Sequence, residues 1–383
     1  MMLCHPTVCA VGRDYHIMLP VREETLMSVV VGEETFYDES NGILRSKTPV
    51  HRAVVPMEAL DAAGRYTMRL RQVLERRPYY PPMGDTIQLE YEFRPLKKRE
   101  DIHIYQLADM HGMIEPAARA ARFFGDSLDL LVLNGDMANS SASPEDICAV
   151  YRVAALVTGG QIPCVFSRGN HDTRGACAEN LADYVPTDRG NSYYDFQLGC
   201  VYGLALDCGE DKDDDNASYN GTICCHSFRR RETRFLQQTM QAKPFLAPEV
   251  QYRLVLSHIP FTYNHTAADH DGSHPFNIEI PLYTQWARLL REEMRPHLML
   301  CGHLHRLLIS MPGGPYDQKG QPCPVIIGSH PEADAEGGPR YAGTALTLRP
   351  GSAWVAFTNQ DGEILRQETI AGYQRGNIQK NVR

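Results

Sequence analysis

Apolar and polar positions alternate with period two through much of the first hundred residues. In Tyr66-Thr67-Met68-Arg69-Leu70-Arg71 and Ile87-Gln88-Leu89-Glu90-Tyr91-Glu92-Phe93-Arg94 the apolar side chains share one face and the charged ones the other, as half-buried antiparallel strands require. Residues 26–31 form a more continuous apolar strand, and Asn41-Gly42 predicts a turn between Phe36-Tyr37 and Ile43-Leu44, because tight hairpins favour that dipeptide. No helix of useful length is readable here. The pattern predicts a small all-β sandwich over residues 1–98, ending at the charged, proline-containing stretch Arg94-Pro95-Leu96-Lys97-Lys98-Arg99-Glu100.

From Ile102 the rhythm changes to short apolar strands, each followed by a polar turn and a helical stretch, which is the grammar of βαβ units. A strand over 102–107 runs into Asp109-Met110-His111-Gly112, one over 128–133 into Asn134-Gly135-Asp136, and one over 162–166 into Arg168-Gly169-Asn170-His171-Asp172. Strands over 193–197 and 201–206 and a basic helix over 228–240 follow. Strands over 254–256 and 298–300 then run into Ser257-His258 and Cys301-Gly302-His303-Leu304-His305. These elements predict an α/β domain over 99–375 and a tail over 376–383.

Ligand sites in open α/β sheets lie beyond the carboxyl ends of the strands. Five such ends carry Asp, Asn and His, and the glycines beside most of them make tight turns that let the next side chain point back across the strand ends. Asp109, His111, Asp136, Asn170, His258, His303 and His305 offer only oxygen and imidazole nitrogen, a set suited to Zn, Fe or Mn. Seven ligands with one shared carboxylate make two sites. A pair of ions activates water and clamps the attacking and leaving oxygens of an in-line displacement, and phosphoester hydrolysis is the reaction that most needs this.

Charge narrows the partners. The 383 residues carry 38 Lys+Arg against 47 Asp+Glu, a formal −9, and residues 1–98 hold 13 of each sign, so the imbalance belongs to the second part. That balance disfavours nucleic acid and anionic membranes as partners. The chain opens without a basic segment leading into an apolar one and has no run of about 18 apolar residues, so neither secretion nor a membrane span is expected. Eleven scattered cysteines without regular spacing predict reduced thiols in a cytoplasmic protein, the adjacent Cys224-Cys225 included.

The ordered set Asp-x-His, Gly-Asp, Gly-Asn-His-Asp, strand-end His and Gly-His-x-His over about residues 101–305 resembles the calcineurin-like metallophosphoesterase superfamily. The resemblance implies a two-sheet β-sandwich flanked by helices, with later strands over 325–327, 344–348, 353–357 and 364–369 completing its second sheet. It implies two divalent ions, one held by Asp109, His111 and His305, the other by Asn170, His258 and His303, with Asp136 bridging. Asn170 would also steady the phosphate oxygens, and His171 resembles the histidine that protonates the leaving oxygen. An imidazolium needs a carboxylate partner, for which Asp172 and Asp109 are both candidates. Arg168, Arg174 and Asp172 are candidate substrate-binding residues.

Leu60-x5-Tyr66 with Gly64 resembles the tyrosine corner of fibronectin type III domains, and purple acid phosphatases join such a domain to this catalytic one. That subgroup reads Asp-x-Gly where Asp109-Met110-His111 stands and has a ligand Tyr at the position of Asn139, so a non-purple relative is expected. The acidic run Glu210-Asp211-Lys212-Asp213-Asp214-Asp215 and the cluster Arg229-Arg230-Arg231 read as solvated faces. Tyr263-Asn264-His265 and Asp269-His270-Asp271-Gly272-Ser273-His274 read as a solvated loop that could cover the site. The expected activity is hydrolysis of a small phosphomonoester or phosphodiester by metal-bound hydroxide. A nuclease on the same core and a non-catalytic scaffold are the alternatives.

Overall fold

Two sheets packed face to face and covered by helices on their outer sides make up most of the chain, which a computed structural model describes over residues 1–98, 100–263 and 278–373. The first sheet is centred on four parallel strands in the order Ile102–Leu107, Leu130–Asn134, Pro163–Ser167 and Thr7–Val11. Antiparallel strands extend it on both sides, Pro339–Arg349, Gly351–Asn359 and Ile364–Tyr373 on one, Asp14–Pro20 and Val50–Pro56 on the other. The second sheet runs Tyr194–Leu198, Val201–Leu206, Tyr252–Ser257, Leu298–Cys301, Val325–Gly328, Leu307–Ser310.

The parallel strands read as unbroken apolar runs because both of their faces are covered. In Leu130–Asn134, Leu130 and Val132 enter the core between the sheets, while Leu131 and Leu133 pack with the helices Ile114–Ala121 and Ala149–Thr158. The outer face of the second sheet is covered by Cys225–Ala242 and Ile280–Leu289 through Leu236 and Trp286. Between the sheets, Asn134 Nδ2 donates to Gln106 Oε1 (3.2 Å) and Leu300 O (3.0 Å), and Gln106 Nε2 donates to Cys301 O (2.9 Å). This buried polar clasp fixes the two sheets to one another just below the strand ends.

The alternation in the first hundred residues is built as β-strands. A sheet of Glu34–Tyr37, Thr25–Val31, Arg65–Val73 and Met83–Glu92 shares a core with Thr7–Val11, Asp14–Pro20 and Val50–Pro56. The second layer is also part of the catalytic sheet, since Val8 pairs with Pro163 and Cys9 with Cys164. The connection at residue 98 therefore joins two parts that share one sheet and one core.

Several local readings are corrected. Of the late strands, only Val325–Gly328 joins the second sheet. The other three extend the first, because Pro339–Arg349 pairs antiparallel with Ile102–Leu107. Tyr66 makes no corner: its hydroxyl donates to Gly160 O at 2.8 Å, far along the chain, and its ring stacks on Tyr91. Asn41 and Gly42 take positive φ (51° and 82°), yet they join Glu39–Ser40 to Ile43–Leu44, while Phe36 pairs with Val29. A short helix, Met57–Ala63, ends at Gly64 in the left-handed conformation.

Candidate metal centre

Five strand ends converge at the carboxyl edge of the two sheets and bring all seven expected ligands to one rim. Five of these residues leave their strands with positive φ: Asp109 at 49°, His111 at 46°, Asp136 at 55°, His303 at 69° and His305 at 49°. Backbone of this kind is costly for a residue with a Cβ, and it clusters where function constrains it. The neighbouring glycines contribute room as much as turns. A Cβ on Gly169 would stand 2.1 Å from Asp136 Oδ1, and one on Gly302 2.5 Å from Asp109 Oδ2.

The donors face one another. His258 Nδ1 bonds to Asn134 O at 2.7 Å, so the proton belongs on Nδ1 and Nε2 faces Asp136 Oδ2 at 3.1 Å and Asp109 Oδ1 at 3.6 Å. The Nε2 atoms of His111 and His305 are 3.1 Å apart, and His305 Nε2 is 3.4 Å from Asp109 Oδ1. Asn170 Oδ1 lies 3.0 Å from His303 Nδ1. Three overlapping groups, Asp109 with His111 and His305, His111 with Asp136 and His171, and Asp136 with His258 and His303, each hold their donor atoms within 4.8 Å.

Electrostatics agree with a site for cations. Asp109 Oδ2 accepts from His303 N at 2.7 Å and from the Ser329 hydroxyl, whereas buried Oδ1 has no well-formed hydrogen bond among the described residues, with His305 Nε2 at 3.4 Å. An orphaned carboxylate oxygen among imidazoles fits a bound cation. Burial pushes both carboxyls up, but the charges and hydrogen bonds that face them, from His258 with His305 and Ser329 at Asp109 and from His258 with His171 at Asp136, together hold both below the usual range. Burial likewise pushes His258 down, and the two carboxylates reverse this, raising it to about 10. A divalent cation held here would take the place of that proton, because a ligating imidazole is neutral.

His171 stands beside the ligands, 31% exposed at its side chain. Its amide donates to Asp136 Oδ1 at 2.8 Å, and its Nδ1 bonds to Asn139 O at 2.8 Å. Neither Asp172 nor Asp109 is its partner. Asp172 is buried, and its Oδ2 accepts from Gly169 N (2.8 Å) and Asp136 N (3.2 Å), so it ties two ligand-bearing turns together and is turned away from the rim. Burial and the Asp136 charge push its carboxyl up to about 7. Arg168 is held by Asp207 at 2.6 Å. Arg174 does reach the rim: Nε and Nη2 each bond Glu210 at 2.7 Å, and Nη1 lies 3.1 Å from His171 Nε2.

Other functional neighbours escaped the sequence reading. Glu210 and Asp211 are buried, and Tyr219 Oη lies 2.8 Å from a carboxylate oxygen of each. Asp214 Oδ1 and Oδ2 accept the first amides of Cys225–Ala242 at 2.8 and 3.0 Å, so only Asp213 and Asp215 of that run are exposed. Arg229 is buried and donates to Cys208 O at 2.8 Å. Ser329 follows Val325–Gly328 as the ligands follow their strands, a signal that was available. Asn264, His265 and residues 269–274 lie outside the described residues, whereas Tyr263 is buried against Tyr316.

A family model described as calcineurin-like phosphoesterase matches residues 102–307, more than half of the chain. The chain belongs to the calcineurin-like phosphoesterase family. It is similar in fold to a purple acid phosphatase from yellow lupin (Lupinus luteus) seeds, at 11% identity over 96% of this chain and 74% of that one, TM-score 0.60. It is similar in fold to PhoD as well, at 10% identity over 96% and 88% of the two chains, TM-score 0.54. No curated protein matches it in sequence. The phosphoesterase is thus a metal-dependent phosphoester hydrolase, and its rim carries the donors for divalent ions.

Proposed function

We propose that the enzyme hydrolyses a small phosphomonoester or phosphodiester at a dinuclear centre of Mn, Fe or Zn. The observation that carries this reading is a run of overlapping donor groups: Asp109, His111 and His305 share His111 with a group that includes Asp136 and His171, and Asp136 is shared in turn with His258 and His303, the last of which Asn170 touches. Ions bound there would activate water and neutralise the phosphate oxygens. Asn170 would orient a phosphate oxygen through its side-chain amide. Since His171 Nδ1 is committed to Asn139 O, Nε2 is the atom that would exchange a proton with the leaving oxygen. Arg174, at 3.1 Å from that nitrogen, would meet a phosphate oxygen at the same corner.

The formal charge of −9 speaks for small substrates rather than polynucleotides, and eleven scattered cysteines without regular spacing speak for the cytoplasm. The test is hydrolysis of p-nitrophenyl phosphate and its bis ester by protein reconstituted with Mn, Fe or Zn. Chelation and Asp136→Ala should each abolish it. Activity that survives Asp136→Ala would overturn the dinuclear reading.

A further inference from the structure

A cavity of about 970 Å³ opens beside the metal-ligand rim, and Arg174, which touches His171, forms part of its wall. Four cations line it: Arg168, Arg174, Lys212 and Arg231. Three are matched by a carboxylate at contact, Arg168 by Asp207 at 2.6 Å, Arg174 by Glu210 at 2.7 Å and Lys212 by Asp211 at 2.8 Å. Arg231 is exposed and has no carboxylate at ion-pair distance among the described residues. Its guanidinium lies over the Phe228 ring, 5.6 Å from the centroid, and Arg168 lies over the same ring at 5.2 Å. The ring thus holds a planar, unmatched cation at the cavity wall.

We propose that this cavity receives the alcohol part of the phosphoester and that Arg231 reads an anionic group on it. The substrate class is then a small phosphoester whose leaving group carries a second anion on an apolar or aromatic body. The inference rests on the phosphoesterase reading, because the rim places the scissile phosphate and the leaving group projects past His171 and Arg174 into the cavity. The volume suits a small molecule, and Phe228, Tyr219 and Ile223 supply apolar wall. A guanidinium backed by a ring is preorganised to bind a carboxylate or phosphate through two parallel hydrogen bonds. Glu179, also in the lining and exposed, sets the opposite sign nearby, so a long polyanion gains nothing from the cavity.

The experiment compares 4-carboxyphenyl phosphate with its methyl ester, which differ in charge at one position. The metal-loaded full chain should favour the carboxylate in kcat/KM. Arg231→Gln should cut that preference about fivefold to tenfold, and Arg231→Lys should restore part of it. Calorimetric binding of 4-hydroxybenzoate, which needs no turnover, should weaken in the same order. Equal use of both esters by the wild type, or an equal loss on both in Arg231→Gln, would overturn the proposal while leaving the hydrolase reading intact. Absence of hydrolysis with Arg231-dependent binding would support the subsite and defeat the hydrolase reading. Absence of both would defeat the two together.

Discussion

Gly169→Ala tests whether the rim depends on the space that glycine leaves. The new Cβ would lie 2.1 Å from Asp136 Oδ1 and 2.5 Å from Asp136 N, so one side must retreat by about 1 Å to reach ordinary contact. Asp136 has little room: Oδ1 holds the His171 amide at 2.8 Å, Oδ2 faces His258 at 3.1 Å, and its own amide is held by Asp172 at 3.2 Å. Overpacking of this kind costs about 1–3 kcal/mol, and a misplacement of about 1 Å at reacting groups costs about 100-fold in rate. With p-nitrophenyl phosphate and Mn, kcat should fall about 100-fold, and metal per chain, read by mass spectrometry, should drop with it. Activity within threefold of wild type at full metal content would show that the turn relaxes freely, and the steric argument would be wrong.

Ser329→Ala removes the hydroxyl bonded to Asp109 Oδ2 and should weaken metal affinity or activity about 10- to 100-fold, as a metal titration of the apoprotein would read. Lys319 is buried, and burial pushes its ammonium from 10.5 down to about 8. Between those values the unfolded chain holds a proton that the folded one has lost, so stability rises with pH through that window. Lys319→Met should therefore stabilise by on the order of 3 kcal/mol at pH 7 and lose that advantage as pH approaches 10.5. Denaturant melts that show the same gain at pH 7 and pH 10 would contradict this. Tyr66→Phe deletes the bond to Gly160 O and should cost about 1 kcal/mol, visible by calorimetry, with kcat unchanged.

The parallel strands and the convergence of the seven candidate donors were legible because these strands are short apolar runs stopped by polar donors, several of them beside a glycine, a purely local signal. Pairing was much less so. Thr7–Val11 is buried on both faces and shows no alternation, and its partner Pro163–Ser167 is far away in sequence. Charge was misread for the same reason. Glu210 looks like part of a solvated run until Arg174 approaches from 36 positions earlier, and Asp172 looks like a site residue until its carboxylate is seen to close on two backbone amides. Turn type was legible at Asn41-Gly42, but the choice of strands it joins depends on the neighbouring sheet.

The parallel pairing of Val8 with Pro163 also sets a schedule for biosynthesis. Asp14–Pro20 can zip onto one side of Thr7–Val11 almost as soon as both have emerged. The other side waits for residues made 155 positions later, which at about 5–20 residues per second takes roughly 8–30 s. Throughout that interval the nascent chain displays an open strand edge in an apolar hairpin, a template for wrong partners. The yield of active enzyme should therefore depend on how well that edge is shielded until Pro163–Ser167 has been made.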